Sequence, residues 1–109
     1  MPRPTFSFGV FALLVAGFAG LAWAVPSAER QAELLHRLKH DCGSCHGLTM
    51  KGGLGPPLLP KVLAGRPDND LVDIILEGVV ETPMAPWKSE LSEEEARWIV
   101  RLLREGVPQ

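Results

Sequence analysis

"DCGSCHG", residues Asp41 to Gly47, decides how the rest of the chain is read. Two cysteines separated by two residues can be a redox dithiol, half of a zinc site or an anchor for a larger group, and the histidine after the second needs explaining. A low-pKa dithiol requires the pair at the N-terminus of a helix that follows a strand. Here a helical pattern precedes the pair and no strand pattern does. Zinc asks for four ligands, usually as two separated pairs, whereas Cys42, Cys45 and His46 are near neighbours and only His36 or His40 lies close enough upstream to complete a set. Covalent haem uses all three residues: the thiols add to the two porphyrin vinyl groups, and the next residue brings an imidazole nitrogen to the iron. The motif is therefore read as c-type haem attachment through Cys42 and Cys45, with His46 as proximal ligand.

Upstream of the motif the chain begins with Arg3 and an uncharged run from Thr5 to Ser27 that contains "FGVFALLVAGFAGLAWA". Small residues at Ala22 and Ala24 give it the layout of a secretory signal peptide with an A-x-A-like cleavage site. The alternative is a retained membrane anchor, because Gly9 to Val25 is 17 residues, at the short limit for a span. Residues 1–24 are thus expected as a leader and 25–109 as an exported working domain, touching a membrane only if the leader stays. Arg3 is one of 11 Lys and Arg, so the domain keeps ten against 13 Asp and Glu, a net charge of −3. With no basic cluster to neutralise phosphates, nucleic-acid binding is disfavoured. So small a domain buries only roughly 60–65% of its chain surface and gains from a covalent staple.

Three helical segments and no strands are expected, an all-α domain. The first starts after Pro26 with Ser27 as cap and runs into the motif, with Ala32, Leu35 and Leu38 read as its inner face. The stretch Gly47 to Pro67 carries five glycines and four prolines, too many for a long regular element, and reads as a loop wrapped closely around something. A second helix spans about Asp68 to Glu77, closed by Gly78, with Leu71, Ile74 and Ile75 inward. The third opens on a capping box, Ser92 and Glu95, with Leu91 as a staple; its inner stripe is Ala96, Ile99, Val100 and Leu103, and Arg97, Arg101 and Arg104 take the wet side.

The second axial position separates electron transfer from chemistry on a bound ligand. Met50 lies four residues after His46 and is read as core filling. Met84, 38 residues beyond His46 in a loop braced by Pro83 and Pro86, is the expected distal ligand. His40 is the competitor, but it sits on the helix leading into the motif, where it and His36 read as solvated. A thioether sulfur favours reduced iron and raises the potential relative to two nitrogens. With both positions filled the iron is closed, which suits an electron carrier and not an enzyme.

Taken together, "CGSCH", Gly55-Pro56, the helix ending at Gly78, "TPMAPW" and the final amphipathic helix resemble the class I c-type cytochromes, over nearly all of residues 25–109. The resemblance implies the class I cytochrome c fold, with three main helices and Gly/Pro-rich loops around one haem c. It also implies that the Pro56 carbonyl orients the proximal histidine, with Pro57 as the neighbouring possibility, that Trp87 lines the haem pocket and that Trp98 packs the terminal helices. The family's usual glycine in the first helix is missing, and Ala32 is the expected substitute. More narrowly the chain is similar to the small cytochromes c that accompany cytochrome cd-type nitrite reductase in denitrifying bacteria. That likeness implies a monomeric electron donor to redox proteins of the periplasm, nitrite reductase among them. The alternative is an accessory role in maturing the reductase's special haem, and a peroxidase would require an open iron. Lys51 and Lys88, which come after the two ligand segments, are expected either to frame an exposed haem edge or to be ordinary surface lysines.

Overall fold

The computed structural model describes residues 24–109 throughout, together with residues 1–5, 9, 12 and 14–17. Half of the expected leader, 12 of its 24 residues, falls outside the described residues. Among the described residues no helix is long and apolar enough to cross a membrane, and there is no strand.

Helix α1 (Ala28–Arg37) starts where the sequence places it, the Ser27 hydroxyl accepting a hydrogen bond from the Arg30 amide at 3.2 Å. It continues without a break through a π-helical turn, Leu38–Cys42, into α2 (Gly43–His46); Arg37, Leu38, Cys42 and Gly43 are all right-handed helical. At the end of the π turn the Gly43 amide donates to the Leu38 carbonyl five residues back. Such a turn carries an extra residue per repeat and re-aims the residues beyond it. It occurs immediately before the motif.

Beyond the motif, α3 (Pro60–Leu63) is a single turn with proline in its first position. Helix α4 (Asp68–Glu77) matches its expected limits, and Gly78 ends it with φ of +68°, a conformation costly for any residue with a Cβ. Helix α5 (Glu93–Glu105) opens on the expected capping box, both reciprocal hydrogen bonds being present. The sequence thus shows the three longer helices and misses the short turns.

Helix α5 packs most extensively on α4 and also touches α1 and α3. Its buried residues are Ala96, Ile99, Val100 and Leu103, the stripe read from sequence, and Leu91 before the cap is buried too. The inner face of α1 differs from expectation: Leu34 and Leu38 are buried, Leu35 is half-buried and Ala32 is exposed. Ala32 therefore does not take the place of a close-packing glycine; the fully buried alanine is Ala96 of α5, which follows Glu95, the partner of Arg30 on α1. On α4 it is Leu71 and Val72 that are buried, while Ile74 and Ile75 are half-buried. Met50 is 2% exposed and fills the core, and Trp98 packs half-buried against it.

Polar contacts lock α1 and α4 to α5. Arg30 forms a two-pronged pair with Glu95 at 2.9 and 3.0 Å, and Arg37 reaches Glu90 at 2.7 Å. The bond to Arg30 holds the Glu95 carboxyl below its usual range. Of the arginines assigned to the wet side, Arg97 bonds Glu93 and Asn69, and Arg104 bonds Asp68 and the Leu63 and Arg66 carbonyls. These two are tethers to α4 and its approach; Arg101 remains exposed.

Candidate functional site

Cys42, Cys45 and His46 occupy the last turns of the α1–α2 stretch and are all half-buried. Spaced by three, the two cysteines lie within one helical turn and are not joined in a disulfide. Burial, reinforced by the Asp41 carboxylate, pushes the Cys42 thiol up to about 11. That is opposite to the shift an activated dithiol needs.

The loop after the motif folds back on it. The Gly52 amide donates to the His46 carbonyl and the Gly55 amide to the Cys45 carbonyl, each at 2.8 Å, and Gly53 donates to Gly55 at 3.0 Å. In the described residues, the loop wraps the motif's own backbone and imidazole. At Gly55 a Cβ would lie 2.8 Å from His46 Cε1 and 2.9 Å from Nδ1. Only glycine leaves the ring its place.

The Pro56 carbonyl oxygen stands 2.7 Å from His46 Nδ1. A carbonyl can only accept, so Nδ1 carries the proton and Nε2 keeps the free lone pair. Pro56, and not Pro57, makes this contact.

Met84 and Trp87 belong to a second loop, built against the end of α4. Val79 N–H donates to the Met84 carbonyl at 3.0 Å, and Met84 N–H to the Thr82 hydroxyl at 3.2 Å. Trp87 N–H donates to the Ile75 carbonyl at 3.0 Å, and the indole packs half-buried on the core. A Cβ on Gly78 would lie 2.5 Å from the Met84 carbonyl, so the residue that stops α4 also lets this loop pass close. Met84 itself is half-buried. Lys88 pairs with Glu77 at 2.9 Å and Lys51 is exposed, so of the two lysines proposed as a frame Lys88 has its charge offset locally. His36 and His40 are exposed on the helix before the motif. Sequence reading missed Gly55 as the residue against the imidazole; its signal was the glycine directly before Pro56.

Among the described residues no cluster of three or more His, Cys, Asp or Glu side chains is placed to hold a metal ion. The donor set fits covalent haem: two thiols within one turn, and beside them an imidazole whose outward nitrogen is free because the other is tied to a carbonyl.

Comparison with known proteins agrees. Residues 29–103 match the family model described as cytochrome c oxidase, cbb3-type, subunit III. Cytochrome c55X of Pseudomonas aeruginosa is 54% identical over 87 residues, covering 80% of this chain and 73% of the relative. A solved c-type cytochrome, NirC, superposes with a TM-score of 0.72 at 52% identity, over 73% of this chain and 94% of that one. Dihydro-heme d1 dehydrogenase NirN, solved in complex with DHE, matches over only 16% of its length, with a TM-score of 0.61 at 31% identity.

Proposed function

Because the chain belongs to the c-type cytochromes, within the cytochrome c55X group, we propose that it carries single electrons in the periplasm, to or from redox proteins of the nitrite-reducing system of denitrification. The observation that carries this reading is the Cys-x-x-Cys-His turn with its imidazole polarised by Pro56. Cys42 and Cys45 hold one haem c through thioethers, and bound haem supplies a one-electron iron couple. His46 offers Nε2 to the iron, and the Pro56 carbonyl fixes its tautomer and makes it a stronger donor. Met84 would supply a thioether sulfur to the iron and so favour the reduced state, Trp87 would line the pocket, and with His46 and Met84 both committed to the iron the protein would serve as a carrier and not an enzyme. Residues 1–24 direct export and 25–109 are the working domain, acting as a monomer. Exposed Leu48, Leu54, Val79 and Val80, on the loops after the motif and α4, form apolar surface of the kind that a porphyrin or a docking partner covers.

A second reading, service in maturing the reductase's special haem, is favoured by the likeness to the dihydro-heme d1 dehydrogenase. Stopped-flow mixing of the reduced holoprotein with a cytochrome cd-type nitrite reductase separates the two. A carrier is reoxidised rapidly and ignores free tetrapyrrole; a cargo protein binds free tetrapyrrole one to one and is reoxidised slowly. Replacing Met84 by Ala lowers the potential and lets cyanide bind the oxidised iron at once, and an unchanged spectrum moves the ligand elsewhere.

A further inference from the structure

His36 and His40 stand one helical turn apart on the solvent side of the stretch that runs into the motif, and the electron-transfer reading gives them no role. Their ring centroids are 4.3 Å apart, the planes tilted by 41°. Both residues are exposed, and among the described residues neither ring takes a hydrogen bond, so all four ring nitrogens are uncommitted. The helix cannot turn to separate them from solvent, because Leu34 and Leu38 on its other side are 0% and 1% exposed. Although His40 lies within the π turn, the 4.3 Å ring separation keeps the two imidazoles side by side at i and i+4, the spacing with which helical histidine pairs grip one metal ion.

The surroundings say which ion fits. Glu33, one turn before His36, is paired with Arg30 at 2.7 Å, and Arg37 is paired with Glu90. Lys39 and Asp41 flank His40 with opposite charges. With no third protein ligand clustered there among the described residues, the pair supplies two nitrogens and leaves the other positions open. Imidazole suits copper, nickel and zinc, and among divalent ions copper(II) binds a given nitrogen set most tightly.

We propose that His36 and His40 form a surface site for one divalent transition-metal ion, tightest for copper(II), with the remaining positions filled by water or by a donor from another molecule. The test is a titration of the purified holoprotein with copper(II) alone and with zinc(II) alone, read by calorimetry, and for copper by electron paramagnetic resonance as well. One equivalent of copper should bind ahead of zinc, with hyperfine structure from two nitrogen donors. His36→Gln and His40→Gln should each weaken copper binding by about tenfold or more, since losing even an outer partner of a metal ligand costs about 10–100-fold. An unaltered haem spectrum in both variants certifies the fold. Copper held as tightly by either variant as by the parent, or a resonance spectrum of the parent without two nitrogens, overturns the site.

Discussion

Gly55→Ala probes the contact on which the imidazole's placement depends. The added Cβ would meet His46 Cε1 at 2.8 Å, about 0.7 Å inside the roughly 3.5 Å at which carbon atoms pack. The backbone cannot simply retreat, because the Gly55 amide is bonded to Cys45 at 2.8 Å and its carbonyl accepts from Gly53 at 3.0 Å. Either the ring tilts and its 2.7 Å bond to Pro56 lengthens, or one of those loop bonds breaks. Overpacking of this kind costs about 1–3 kcal/mol. A tilted ring also loses basicity and stabilises oxidised iron less, so the reduction potential should rise. Guanidinium unfolding of the oxidised holoprotein, monitored by haem absorbance, measures the first effect and spectroelectrochemistry the second. Gly65→Ala is the matched control, since its Cβ would meet nothing within 4 Å, and it should be neutral or stabilise by up to about 1 kcal/mol. If Gly55→Ala matched Gly65→Ala in both measurements, the packing argument would fail.

Leu34→Ala should destabilise by about 2–5 kcal/mol, because the side chain is wholly buried and its neighbours are fixed helices; Ala32→Ser, on the exposed side of α1, should fall within about 0.5 kcal/mol of the parent in the same unfolding assay. Ser92→Ala removes the cap of α5 and should cost about 1 kcal/mol by thermal unfolding. Glu95 has a carboxyl held below its usual range by Arg30, so its contribution is complete above the unfolded value and drains away as pH falls through the lower folded one. Glu95→Gln should therefore be less stable near neutrality and show a flatter acid limb in circular dichroism, whereas equal acid limbs would remove Glu95 from the acid response. Cys45→Ala should leave a single thioether and little mature protein, read by the yield of haem stained on a denaturing gel.

The long helices were legible because their signals are local. Ser27, Gly78 and the Ser92–Glu95 box each act on backbone groups within a turn or two of themselves. The α5 stripe was equally readable, a 3.6-residue repeat in which Ile99, Val100 and Leu103 follow Ala96. On α1 the choice of Ala32 failed because alanine is indifferent to burial, and the face is settled by where α5 lies, with Arg30 drawn to Glu95. The π turn at Leu38–Cys42 has no sequence signature, since it depends on how the end of α1 meets its surroundings. At the site, the motif and the proline after Gly55 were visible, but the choice of Pro56 over Pro57 required knowing where the loop folds back. Arg97 and Arg104 read as solvated charges because the partners that tether them to α4 and its approach, Asn69, Asp68 and the Leu63 and Arg66 carbonyls, lie 28 to 41 residues away.

The most direct test is the intact mass of the native protein taken together with its pyridine haemochrome spectrum. The expected result is a polypeptide heavier by one haem, with the spectrum of a porphyrin whose two vinyl groups have both been consumed by thioether bonds. A colourless protein with the mass of bare polypeptide, or haem that extracts into acidified solvent, would contradict attachment at Cys42 and Cys45.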